Sequence, residues 1–152
     1  MYHYGVADKQ RYGLEALRDV RRIDESTEQQ AVAVHADALR AAQLRAADAR
    51  ARVEAQTQTT AKAQGAAQTQ LMVGAPAQLA ALAMHTAARH RQRLHALTAD
   101  SDRLAAVACG QDQQFDVAQQ KLRQAQAARA LLDRHFAAWR ARRAKQQENR
   151  EP

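Results

Sequence analysis

His85, His90 and His95 are the side chains whose types and spacing come nearest to a metal site. Steps of five residues turn about 500° around a helix, leaving successive imidazoles about 140° apart. They therefore cannot share one ligating face. Helical zinc sites use spacings of three or four, and neither a cysteine nor a carboxylate cluster completes a set here. These histidines are expected in solvent or on a helix seam. The lone Cys109 has no internal disulfide partner; it is expected as a small buried or half-buried side chain without a redox role. Phosphate loops of the GxxxxGK[ST] kind, dinucleotide turns (GxGxxG) and nucleophile elbows (GxSxG) do not occur. An activated nucleophile also needs a pocket. No catalysis, cofactor, metal or small-molecule substrate is expected.

Charge carries more information. The 152 residues hold 23 Lys+Arg against 16 Asp+Glu, a formal charge of +7. Arginines cluster at Arg18, Arg21 and Arg22, at Arg89, Arg91 and Arg93, and at Arg134, Arg140, Arg142 and Arg143 with Lys145. A basic end of this kind suits nucleic acid phosphates, an acidic membrane surface or the acidic lining of a protein ring. For any single arginine, a solvated helix surface is the simpler account. Nucleic acid is disfavoured because acidic residues such as Asp8, Glu15, Asp19, Asp24, Glu25 and Glu28 are interspersed, and no aromatic-basic reading motif occurs.

These side chains need elements to hold them, and the composition leaves little choice. Among the 46% hydrophobic residues alanine dominates, so few large side chains remain to build an interior. Gly and Pro are scarce and aromatics make up 4%, a mixture that favours helices over strands. An elongated all-α chain follows. No run of 18 apolar residues exists, and Met1-Tyr2-His3-Tyr4-Gly5 lacks the basic-then-apolar layout of a signal peptide. A cytoplasmic location is the resulting expectation.

The main interior break is Leu71-Met72-Val73-Gly74-Ala75-Pro76, almost at the midpoint; Gly suits a helix C-cap and Pro the start of the next helix. The expected architecture is a single domain, 1–152: helix one over about 8–69, a turn at 70–77, helix two over about 78–147, and a flexible C-terminal tail. Helix two carries a heptad seam at Leu94, Leu97, Ser101, Leu104, Ala108, Gln111, Phe115, Ala118, Leu122, Ala125, Arg129, Leu132, Phe136 and Trp139. Between Leu94 and Trp139, Val107, Val117 and Leu131 are the large apolar residues off the seam. Such a repeat requires a coiled-coil partner.

Helix one offers Val32, Leu39, Ala46 and Val53 at steps of seven, with Ala42 and Ala49 between them. Leu14, Leu17, Val20 and Ile23 precede them in a less settled register. The small residues let larger knobs of helix two approach closely, so the fold expected is an antiparallel coiled-coil hairpin turning near Gly74-Pro76. Folding about Gly74 would set Tyr12 beside Phe136 and gather Tyr2, Tyr4 and Tyr12 with Phe115, Phe136 and Trp139 into the best-packed end. The Gln56-Thr57-Gln58-Thr59-Thr60 tract and Gln64-Gly65 are expected to fray. At the turn, Leu71, Met72, Val73, Leu79 and Leu82 form an apolar patch, which suggests either a self-packed turn or a contact surface.

A basic, Cys-poor chain of two long helices around a central break resembles the FliJ/YscO family, the central stalk proteins of bacterial type III secretion systems. The Ala, Arg and Gln bias is most similar to the Hrp members of plant pathogens. The likeness is most concrete in Leu14-Glu15-Ala16-Leu17-Arg18-Asp19-Val20-Arg21-Arg22 and in Phe136-Ala137-Ala138-Trp139-Arg140-Ala141-Arg142-Arg143. It implies a shaft in the pore of a hexameric secretion ATPase, coupling that ring to the export gate at the inner membrane, with handling of export chaperones as a further role. In that reading Arg18, Arg21, Arg22, Arg140, Arg142 and Arg143 are the candidate ATPase contacts. Leu71, Met72, Val73, Leu79 and Leu82 are the candidates for the gate or another partner.

Two other readings stand beside it. A self-associating coiled-coil adaptor or scaffold would use the same seam as a homo-oligomer, with Ser101, Gln111 and Arg129 setting register. A basic nucleic-acid-binding coiled coil ranks below it.

Overall fold

The computed structural model describes the backbone of residues 5–149 and the side chains of residues 15–149. The chain is an antiparallel coiled-coil hairpin of two helices, α1 (Gly5–Met72) and α2 (Ala77–Glu148). Tyr2, Tyr4 and the tail beyond residue 149 lie outside what is described, as do the side chains of Tyr12 and Leu14. The residues form two compact units, Met1–Ala36 with Gln114–Pro152 (the terminal unit) and Asp37–Gln113 (the turn unit).

The turn closes as the break predicts. Gly74 takes a positive φ of 66°, and the amides of Gly74 and Ala75 donate to the carbonyls of Leu71 (3.3 Å) and Gln70 (3.0 Å). This pair of bonds is a Schellman cap, in which only glycine adopts the left-handed conformation without steric cost. Across the turn the Pro76 carbonyl accepts from Leu79 at 2.9 Å and Ala80 at 3.1 Å, starting α2.

All fourteen positions of the expected α2 seam are buried or half-buried, and the same alternation runs back through His90, Ala87, Ala83 and Ala80. Val107, Val117 and Leu131 are exposed. On α1, Val32, Leu39, Ala42, Ala46, Ala49 and Val53 face the partner helix as expected. Leu17, Val20 and Ile23 do not; they are exposed. Arg18 and Glu25 occupy the partner-facing positions there, because each meets an ionic or aromatic partner on α2.

Three further expectations change. Phe136 lies against Arg18, several residues from the position that folding about Gly74 would bring to it. Among the described residues the closest packing belongs to the turn unit: nine of the eleven buried ones lie in it, mostly alanines whose small side chains let the helices approach. The Thr/Gln tract does not fray. Residues 56–60 are helical, with the Thr57, Thr59 and Thr60 hydroxyls donating to carbonyls one turn earlier. Gln56 and Thr60 are buried against His90: the Gln56 amide reaches His90 Nδ1 at 3.1 Å and its carbonyl at 3.3 Å, and the Thr60 hydroxyl reaches that carbonyl at 3.3 Å. A satisfied polar layer replaces the missing apolar knobs and ties α1 to α2 in one register.

In the terminal unit the equivalent tie is ionic. Arg129 donates to Glu25 across the helices at 2.6 Å, and Glu25 is only 13% exposed. That hydrogen bond, reinforced by the glutamate's charge, raises the Arg129 pKa above the ordinary guanidinium value. With a raised folded value, the arginine's side of the pair is fully charged at and below neutral pH, and its contribution is lost as pH rises through the folded pKa. It is therefore constant across the neutral range. The in-helix pair Arg103–Asp100 is equally short, 2.6 Å, but well exposed, and exposed pairs contribute little. Double-mutant cycles in urea should give a larger coupling for Glu25/Arg129 than for Asp100/Arg103; equal couplings would mean that the crossing pair does not fix the register.

Candidate partner-binding site

The terminal unit gathers cations onto two aromatic rings. Phe136 and Trp139 lie three residues apart and so share one face of α2; their rings stack at 5.9 Å between centroids with planes 24° apart. Arg18 of α1 lies over the Phe136 ring at 4.5 Å, and Arg140 approaches the same ring at 5.8 Å. Arg143 lies 5.4 Å from the centre of Trp139. All three distances fall within the range at which a ring quadrupole attracts a cation.

A shallow cleft of about 480 Å³ opens beside these groups, with Glu15 on its α1 side and Ala144 and Gln147 on its α2 side. Arg18 is additionally fixed by Asp133, Nε to Oδ1 at 2.8 Å. Guanidinium planes held against rings keep in-plane N–H groups for an incoming acceptor, and two of those donors match the two oxygens of a carboxylate. The chemistry on offer is recognition of acidic side chains.

Of the six arginines the sequence nominated, the fold brings Arg18, Arg140 and Arg143 to this cleft. Arg21 and Arg22 are tied on their own helix to Asp24 at 3.3 Å and Asp19 at 3.8 Å. Arg142 is exposed, its Nε donating to the Ala138 carbonyl at 3.3 Å. Sequence reasoning placed Phe136 and Trp139 in the seam but did not foresee them as the platform for the cations. It also missed Asp133 and Glu25, which orient Arg18 and Arg129; the i and i+4 spacing of Arg129 and Asp133 was the available signal.

The other nominated residues lie in the turn unit. Leu71, Met72, Val73, Leu79 and Leu82 are all exposed. His90 sits in the seam, whereas His85 and His95 face solvent. Cys109, expected to be at least half-buried, is exposed, because the flanking seam positions Ala108 and Gln111 turn inward and leave it on the outer face.

Compared with known proteins, the chain matches no family model, no curated protein and no solved structure.

Proposed function

We propose that the chain is a non-enzymatic coiled-coil stalk of a type III secretion apparatus, of the FliJ/YscO kind. In this reading the terminal unit sits in the acidic pore of a hexameric secretion ATPase, and the turn unit faces the export gate at the inner membrane. Export chaperones are a further class of partner. The observation that carries the reading is the cluster of Arg18, Arg140 and Arg143 on Phe136 and Trp139, contributed by both helices of one hairpin. Such a cluster suits acidic groups arranged around a narrow shaft. The test is stoichiometry: sedimentation of the chain with the purified ATPase of its own secretion system should saturate at one chain per six ATPase subunits. No co-sedimentation, or one chain per subunit, would contradict a central stalk.

A self-associating scaffold is the second reading. Leu17, Val20, Ile23 and Leu131 favour it, since these large apolar side chains lie exposed in the terminal unit, where a second copy could cover them.

A further inference from the structure

The turn unit ends in an uncharged apolar cap bordered by cations, and those cations have no part in the stalk reading. From Ala63 through Ala88 the chain holds no Asp, Glu, Lys or Arg. At the helical rise this covers about 15 Å of α1 and about 18 Å of α2. Large apolar side chains stand out from it: Leu71, Met72, Val73, Leu79, Leu82 and Met84 are all exposed, Met72 by 81%. Between the two helices lies an open groove of about 300 Å³ whose walls include Ala63, Ala66, Leu79, Leu82 and Thr86.

Directly beyond the cap come Lys62 on α1 and Arg89, Arg91 and Arg93 on α2, all exposed. Leu82, Thr86, Arg89 and Arg93 follow one another at steps of four and three, so the groove's apolar face runs on into two arginines. Arg91 lies about 200° around the helix from Arg89, extending the positive charge to the other side. Between Glu54 and Asp100 the chain holds no acidic residue; the nearest carboxylate is Glu54 of α1, which the pairing of Gln56 with His90 sets near the level of Arg93.

We propose that this end of the hairpin docks on an anionic phospholipid surface. The leucines and methionines enter the boundary between headgroups and acyl chains, and the guanidinium and ammonium groups reach lipid phosphates on their long apolar stems. The uncharged span is shorter than the roughly 30 Å hydrocarbon core of a bilayer, so the contact is with one face of it. Each part argues against another occupant. A purely apolar protein pocket gives no use to four exposed cations, and a nucleic acid gives none to an apolar cap. The proposal is independent of the ATPase: it stands or falls on the turn unit alone.

The experiment is co-sedimentation of the purified full-length chain with vesicles of phosphatidylcholine mixed with phosphatidylglycerol, compared with phosphatidylcholine alone. Near an anionic surface each basic side chain is worth about fivefold in affinity. R89Q/R91Q/R93Q should therefore weaken binding to the mixed vesicles about a hundredfold, while R40Q/R45Q/R50Q, which alters exposed arginines elsewhere in the turn unit, should leave it unchanged. An environment-sensitive dye on Leu82→Cys in a C109S background should shift to the blue on binding; the same dye on the native Cys109, about 40 Å along α2, should not. Equal binding to both lipids, or equal dye shifts at the two positions, would overturn the proposal. Absence of binding to the mixed vesicles would overturn it too and assign the apolar cap to a protein partner.

Discussion

Phe136→Ala is expected to cost about 3 kcal/mol of folding stability, the lower part of the range for removing a packed phenylalanine. Among the described residues Phe136 is the largest of those buried, 9% exposed, and the other buried apolar groups are all alanines. Its ring stacks on Trp139 and receives Arg18 and Arg140, so truncation removes burial, a ring contact and two cation contacts together. Leu131→Ala supplies the control, since Leu131 is 69% exposed and off the seam; its change should stay within about 0.5 kcal/mol. Urea denaturation followed by circular dichroism measures both. Equal losses would mean that the seam of the terminal unit does not hold the helices together.

If the chain is the proposed stalk, reversing Arg140, Arg142 and Arg143 to Glu should weaken its binding to a secretion ATPase about a hundredfold with the hairpin still folded, because charged groups in a complementary interface repel strongly once reversed. Arg140 and Arg142 are exposed and Arg143 is half-buried, so the cost to folding is limited to their ring contacts and to the less favourable charge near the C-terminus of α2. The triple change lowers the formal charge from +7 to +1, and a general loss of positive charge must be separated from loss of the cleft. Reversal of Arg40, Arg45 and Arg50, exposed in the turn unit, makes the same change in charge away from the aromatic platform. A pull-down in which both triples bind alike, or in which the terminal triple binds as the wild type does, would remove the cleft from the interface.

How much of this was legible follows from which side chains speak in a repeat. Leu94, Leu97, Leu104, Phe115, Leu122 and Leu132 all fall on one register of alternating three- and four-residue steps with few competitors, so the α2 seam could be read directly. Gly74 and Pro76 carry backbone constraints that punctuate any helix, and the turn was equally plain. On α1 the signal failed where the partner-facing residues are not apolar. Arg18, Glu25, Gln56 and Thr60 face α2 because each finds a specific partner there, and such pairing cannot be seen one helix at a time. The apolar run Leu17, Val20 and Ile23 then suggested a face that the ionic pairs override. The same limit hid the cleft: clustered arginines and seam aromatics were visible separately, while their stacking depends on how two distant segments meet.

In the hairpin one chain satisfies its own seam, and the most direct test of this is the mass of the purified protein by multi-angle light scattering across a dilution series. The mass expected of a self-satisfied hairpin is that of a single chain, 16.8 kDa, at every concentration. A discrete mass of two or more chains that survives dilution would contradict it, because the heptads would then be paired between copies and the self-associating scaffold would take the stalk's place.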